Sequence, residues 1–273
     1  MEKSIESNAT KLYPQSMPSK APQALILAAG RGKRLGSKVE EIPKCLLKVG
    51  GRSLLDHQLT MFAAAGITDV CVVAGYHRRV VANACRGRAH VMENVDWATT
   101  NSLYSLSLAS TWVNRGLVVI NCDVLVEPIV VSKLIRDGSS RFAVDRASGG
   151  EDEHMKVQLA DGCLVAMSKS LDDASIHGEN VGILHFSRSD ARQLFQCAKE
   201  ALLTGGDTQW MAAAVQMLAT RRCLEPMDIS ELAWIEIDYA HDLERAREKV
   251  WPLIERRQTP RTDAYLSAMP NER

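Results

Sequence analysis

Continuous apolar runs of strand length recur through the first half of the chain: ALILAA (24–29), DVCVVAG (69–75) and GLVVINCDV (116–124). A strand with one wet face alternates apolar and polar residues. A strand apolar at every position has to be covered on both faces. Between the first two runs lies SLLDHQLTMFAAAG (53–66), apolar at helical spacing and stopped by Gly66. Shorter stretches continue the alternation: a helix at RRVVANAC (78–85), a strand at AHVMEN (89–94), a helix at TNSLYSLSLAS (100–110) capped by Asn101 or Ser102, and a helix at EPIVVSKLI (127–135) with Pro128 in its first turn. Strands joined through helices run parallel, so the pattern predicts an α/β fold with a mostly parallel sheet flanked by helices.

The second half changes rhythm. KVQLADGCLVAMSK (156–169) alternates about Asp161-Gly162, a hairpin signal. NVGILHFS (180–187) and AWIEIDY (233–239) read as strands, and helices are expected over about 189–203, 208–219 and 241–257. This half adds a small further β region and makes the sheet mixed. Residues 1–22 hold Pro14, Pro18 and Pro22 among polar residues, with too little apolar surface to repay ordering. The expected organisation is a disordered arm over 1–22, one domain over 23–258 and a polar tail over 259–273.

The first strand ends in LAAGRGKRLG (27–36), a glycine turn carrying Arg31, Lys33 and Arg34. Such turns offer backbone amides to anions. A dinucleotide fingerprint would need glycine where Leu35 stands and an acid ending the second strand, and a P-loop would need G-K-[ST]; neither is present. A simple turn with solvated cations is the plain alternative, and Lys33 fits it best. The following stretch, SKVEEIPKCLLKVGGRSLLDH (37–57), is too long for a plain βα turn, and Pro43 stiffens the backbone before Lys44.

Together, the LAAG-x-G-x-R-L turn, the PK-x-LL-x-V-x-G-x-x-LL segment and the GITDV-x-VV-x-G strand resemble the nucleotidyltransferase superfamily that makes nucleotide-activated sugars and alcohols, over roughly 24–256. The resemblance implies a Rossmann-like sheet and an enzyme. An acceptor phosphate oxygen attacks the α-phosphorus of a nucleoside triphosphate and pyrophosphate leaves. Arg34 is implied for the departing pyrophosphate and Lys44 for the charge that builds at the α-phosphate.

Transfer of this kind is mostly positioning and charge neutralisation, and Mg²⁺ takes one or two carboxylates with water. Asp123 stands at the carboxyl end of the central strand, where open α/β sheets bind ligands, and Asp238 ends the late strand. The resemblance assigns the Mg²⁺ ligands to these two places; the plain alternative for each is a cap. Glu236 is expected on the opposite side of its strand, and Asp242 as a first-turn helix charge.

NVDWATTNSLYSLSLA (94–109), with 156–169 and GENVGILHFS (178–187), resembles the branch that activates phosphocholine and 2-aminoethylphosphonate with CTP. That implies nucleotide contacts from Ala28, Ala29, Gly30, Arg31, Gly32, Lys33, Gly75, Thr100 and Asn101. Lys156 and Lys169 could meet an acceptor phosphate. Trp97 and Tyr104 could face a choline head through cation–π attraction. Glu151, Asp152, Glu153 and Glu179 could instead receive a primary ammonium. The alternatives are a sugar-1-phosphate nucleotidyltransferase using UTP, GTP or dTTP, and a non-catalytic nucleotide-binding member.

Lys plus Arg and Asp plus Glu balance at 33 each, which argues against a nucleic-acid or membrane-surface partner. No apolar run reaches signal or membrane-spanning length. The seven cysteines form no C-x-x-C pair, and several sit inside apolar strands or helices, where a reduced cysteine behaves as a small hydrophobe; a reducing cytoplasm is the expected compartment. A homodimer is compatible with the sequence, and the oligomeric state stays open.

Overall fold

The computed structural model describes residues 21–35, 42–148 and 153–258. The arm up to residue 20, the tail from 259, the Lys33 side chain, Glu151 and Asp152 lie outside the described residues.

The chain begins with β1 (Gln23–Ala28), buried at every position, and runs through the glycine turn to a two-residue ladder of β2 (Lys48–Val49) with β3 (Arg52–Ser53). α1 (Leu54–Ala64) follows, its first turn closed by Ser53 Oγ accepting from the Asp56 amide at 3.1 Å, a cap worth about 1 kcal/mol. Then come β4 (Val70–Ala74), α2 (Arg78–Cys85), β5 (His90–Glu93), α3 (Ser102–Leu108), β6 (Leu117–Asn121), β7 (Val124–Val126) and α4 (Ile129–Leu134). The second half supplies β8 (Arg141–Asp145), β9 (Lys156–Ala160), β10 (Cys163–Ser168), β11 (Glu179–Phe186), α5 (Arg188–Gly205), α6 (Ala212–Ala219), β12 (Glu225–Asp228) and β13 (Trp234–Glu236). α7 (Ala240–Arg245) continues through a π turn into α8 (Trp251–Gln258).

β6, β1, β4 and β5 lie side by side and parallel, as the apolar runs require. β11 joins them antiparallel to β6 and carries the hairpin of β9 and β10 on its far side. β8 pairs with β11, and β12 closes against β8. The sheet is therefore mixed and flanked by helices, with small separate antiparallel pairs at β13–β7 and β2–β3. β8 and β12 have no counterpart among the expected strands: β12 is polar and contains Pro226, which an edge strand tolerates.

One core layer gathers α1, α2 and α4 on one face, with Leu55, Leu59 and Phe62 against Ile26, Val72 and Ile120. The other packs α3, α5 and α6 against the opposite face, around Leu25, Val73, Leu103, Phe142 and Leu194. A third, smaller cluster decides the site. It buries Leu35 of the glycine turn with Leu47, Leu54, Ile237, Leu243 and Ile254, and so ties the turn to the closing helix.

Cys163 and Cys223 form a disulfide across 60 residues, linking the hairpin to the segment before β12. A disulfide is not what a reducing compartment leads one to expect; Cys45, Cys71, Cys85, Cys122 and Cys197 are free and buried, in keeping with several cysteines acting as small hydrophobes. Among the described residues no helix is long and apolar enough to cross a membrane.

Candidate active site

Four segments meet at the carboxyl ends of the parallel strands. Lys44 opens a short helical turn just after Pro43 and is 8% exposed. Its ammonium touches Asp123 Oδ2 at 2.5 Å and Asp238 Oδ1 at 2.6 Å. Burial works against its charge, but the two carboxylates outweigh it and hold its pKa above the ordinary lysine value. Asp238 is opposed by burial in the same way, yet Lys44 and Arg34 keep its pKa below the carboxylate range. The triad is locked by backbone as well. The Ile237 amide donates to Asp123 O at 3.1 Å, and the amides of Asp238 and Tyr239 donate to Asp242 Oδ2 at 3.0 and 2.8 Å. Asp242 is thus a first-turn helix residue whose carboxylate also holds the Asp238 turn.

Arg34 lies next to buried Leu35 and reaches Asp238 at 3.2 Å and Glu153 at 2.9 Å, with its guanidinium 5.3 Å from the Tyr239 ring centre. Lys169 donates to the same Glu153 oxygen at 2.9 Å, and its ammonium lies 5.2 Å from the Trp210 ring centre. Arg34 from the first half and Lys169 from the hairpin therefore share one carboxylate at the cleft mouth.

Glu236 lines the cleft with Asp238, against expectation. Residues two apart on a strand share a face, so the earlier placement misapplied the period. Burial, then the charges of Asp123 and Asp238, push its carboxyl up to about 8. Cys122 also lines the cleft, but burial and Asp123 push its thiol well up, away from a nucleophile's range.

The cleft encloses about 320 Å³, enough for a small-molecule ligand. The first half of the chain contributes Ala29, Gly30, Gly32, Asn94, Trp97, Thr100, Asn101 and Ser105 to its lining, and the second half Glu153, Met155, Met167, Lys169, Asn180, Trp210 and Met211. Asn94, buried, donates to Thr100 Oγ1 and Ser105 Oγ, both at 3.1 Å, and orders the first set. Asn101 lines the cleft and also caps α3, accepting from the Ser102 amide at 2.8 Å. Gly75 is required by close approach: a Cβ there would lie 2.3 Å from Trp97 Cβ. Ala28 is buried in the sheet, and the Arg31 guanidinium lies 5.5 Å from the Tyr76 ring centre.

The structure does not bring three of the expected acceptor residues into the cleft. Tyr104 donates to Asp96 Oδ2 at 3.0 Å on the surface. Lys156 is buried on β9 and reaches Asp173 at 3.5 Å. Glu179 is buried, accepts from Ser148 and contacts His154 at 3.2 Å. Trp97 belongs to the half of the cleft beside the glycine turn. Trp210, Asn94, Asn180 and Glu236 were missed; only Glu236 had a sequence signal, its two-residue spacing from Asp238.

The donor set suits a divalent ion. Asp123 Oδ1 is buried with no hydrogen-bond partner, a costly state that a cation relieves. Among the described residues no three His, Cys, Asp or Glu side chains are grouped to enclose an ion.

The family model described as MobA-like NTP transferase domain matches residues 24–223. The CMP-5'-(3-aminopropyl)phosphonate synthase of Streptomyces rubellomurinus is 29% identical over 259 residues, covering 89% of this chain and 40% of that protein. The chain thus spans less than half the length of that relative. The CTP:phosphoglutamine cytidylyltransferase of Campylobacter jejuni is 22% identical, covering 83% of this chain and 99% of its own. The solved inositol-1-phosphate CTP transferase from T. maritima superposes with a TM-score of 0.73 at 18% identity, covering 87% of this chain and 96% of its own, a likeness of fold.

Proposed function

The chain belongs to the MobA-like NTP transferase family, and from that premise we propose that it transfers CMP from CTP to a small phosphonate or phosphate bearing a primary amine, releasing pyrophosphate. The observation that carries the reading is the buried Lys44 ammonium joining Asp123 to Asp238 at the end of the glycine turn, between two unlike halves of one cleft.

CTP lies with its triphosphate on the amides of Gly30 and Gly32, its base toward Trp97, Thr100 and Asn101. An acceptor oxygen attacks the α-phosphorus in line; that P–O bond forms as the bond to the β-phosphate oxygen breaks, and pyrophosphate takes the electron pair. Lys44 neutralises charge growing at the α-phosphate, and Arg34 the departing pyrophosphate. Asp123 and Asp238 would hold Mg²⁺, which supplies further charge neutralisation when bound. Lys169 meets the acceptor's anionic group.

The amine assignment rests on the acceptor half. Asn180 Oδ1 is buried without a partner, and Trp210, the aromatic lining residue among the described residues on that side, already carries Lys169. Oxygen acceptors suit an ammonium that donates, whereas a trimethylated head offers no donor. The relatives that act with CTP or form a CMP phosphonate support the choice of nucleotide. The test is pyrophosphate release over the four ribonucleoside triphosphates against aminoalkyl phosphonates, phosphoethanolamine, phosphocholine and hexose 1-phosphates. Turnover with CTP and an amino acceptor is expected; turnover only with a hexose 1-phosphate overturns the proposal.

A further inference from the structure

Gln58 lies on the core face of α1, 2% exposed, and is not itself a lining residue of the cleft. Its Nε2 donates two hydrogen bonds, to Asn121 O at 2.8 Å and to Val124 O at 3.0 Å. Those carbonyls bracket the two-residue turn Cys122–Asp123 between β6 and β7. One amide thus grips the chain immediately before and after the turn that presents Asp123. Its own Oε1 is buried with no partner. A buried amide with an orphaned oxygen is a poor choice for simple packing, which Leu55, Leu59 and Phe62 already supply on the same helix.

The turn has other holds as well. Asp123 O accepts from the Ile237 amide, and the Asn121 side chain packs where Gly182, at φ +80, leaves room; a Cβ there would lie 2.9 Å from Asn121 Nδ2. The Cys122 amide also donates to Leu27 O at 3.2 Å, and among the described residues Gln58 is the side chain that bonds backbone carbonyls on both sides of the turn. A carboxylate 2.5 Å from Lys44 and adjoining the reacting phosphate loses function with displacements of about half an ångström.

We propose that Gln58 is a positioning residue: its amide clamps the 121–124 turn and thereby sets the Asp123 carboxylate for transfer. The inference rests on the functional reading of Asp123 above.

Gln58→Met keeps length and volume and removes both donors. Expected are a kcat for pyrophosphate release lower by about tenfold with the KM for CTP changed by less than about twofold, and faster amide hydrogen exchange across residues 117–126. Leu59→Ala, on the same helix, is the comparison: it lowers the melting temperature at least as much while keeping kcat and that exchange near wild type. If Gln58→Met fails to fold, Gln58→Glu decides. Its protonated carboxyl keeps one donor, so its activity relative to wild type falls as that group ionises with rising pH. Wild-type kcat and unchanged exchange in Gln58→Met, or a pH profile of Gln58→Glu identical to wild type, overturn the proposal. A wild-type protein without activity on CTP and any acceptor defeats the functional reading instead, and the exchange measurement still judges the clamp.

Discussion

Lys44 and Asp238 are separated by 194 residues in the chain and by 2.6 Å in space. The contact joins the loop after the first strand to the strand before the closing helix, and Asp123 completes it from the central strand at 2.5 Å. Two carboxylates meeting at one point repel one another, and the ammonium between them offsets that repulsion.

Asp123→Asn and Asp238→Asn should each keep the fold and lower kcat on the order of a hundredfold, because each removes a carboxylate from the reacting phosphate. The double variant should cost little more than either alone, since the two act as a unit. Near wild-type steady-state turnover in either single variant returns that residue to a capping role.

Lys44→Ala should lower kcat/KM by about 3 to 4 kcal/mol, the range for losing one well-aimed charge stabiliser. Lys44→Arg should not restore it, because the planar guanidinium does not fit between the two carboxylates. Rescue by arginine would mean that charge alone, without the point geometry of an ammonium, is sufficient.

Glu153→Gln should act on binding more than on chemistry. It frees Arg34 and Lys169 from a shared, half-exposed carboxylate. Such pairs are worth about 0.2–1 kcal/mol, so the KM for the acceptor should fall by up to about fivefold with kcat little changed. A rise in that KM would instead make Glu153 the receiver of the acceptor's ammonium.

Acceptor preference discriminates the two head groups. With CTP, kcat/KM for an aminoalkyl phosphonate or phosphoethanolamine should equal or exceed that for phosphocholine. A preference for phosphocholine of about tenfold, or 1.4 kcal/mol, would require an aromatic cage beyond Trp210.

His185 makes stability depend on pH. It is buried on β11; burial first, helped by Arg141, holds its pKa below the usual histidine value although its ring contacts Ser139 O at 2.8 Å. The unfolded chain therefore binds more protons near its ordinary pKa of about 6.5, so stability is complete above that pH and declines as pH falls through the lower folded value. Melting temperature followed from about pH 8 to pH 5 should fall for the wild type and fall less for His185→Gln; parallel curves would exclude the residue.

The parallel sheet was legible because a strand covered on both faces advertises itself locally, as ALILAA and LVVIN do. Asp123 was expected in the same way, by position at the end of such a strand, whereas Lys44 came from the PK segment and the resemblance it carries. β8 and β12 were not legible: Arg141–Asp145 and Glu225–Asp228 are short and end in charge, and they become strands only by pairing with one another and with β11. Trp210 and Asn180 gave no signal because nothing near them in sequence marks them as facing a cleft. The Cys163–Cys223 bond escaped for the same reason, its partners lying 60 residues apart.

The sequence by itself determined which residues could carry charge to a phosphate and on which kind of sheet they would stand, since strand burial and turn chemistry act between near neighbours. Only the tertiary structure decided which of them meet. It joined Lys44 to Asp123 and Asp238, turned Glu179 and Lys156 away from the cleft, and set Gln58 behind Asp123. The reason is physical: a contact such as Lys44 with Asp238 is fixed by packing between distant segments, here Leu35 against Ile237 in one small core, and local preference holds no record of it.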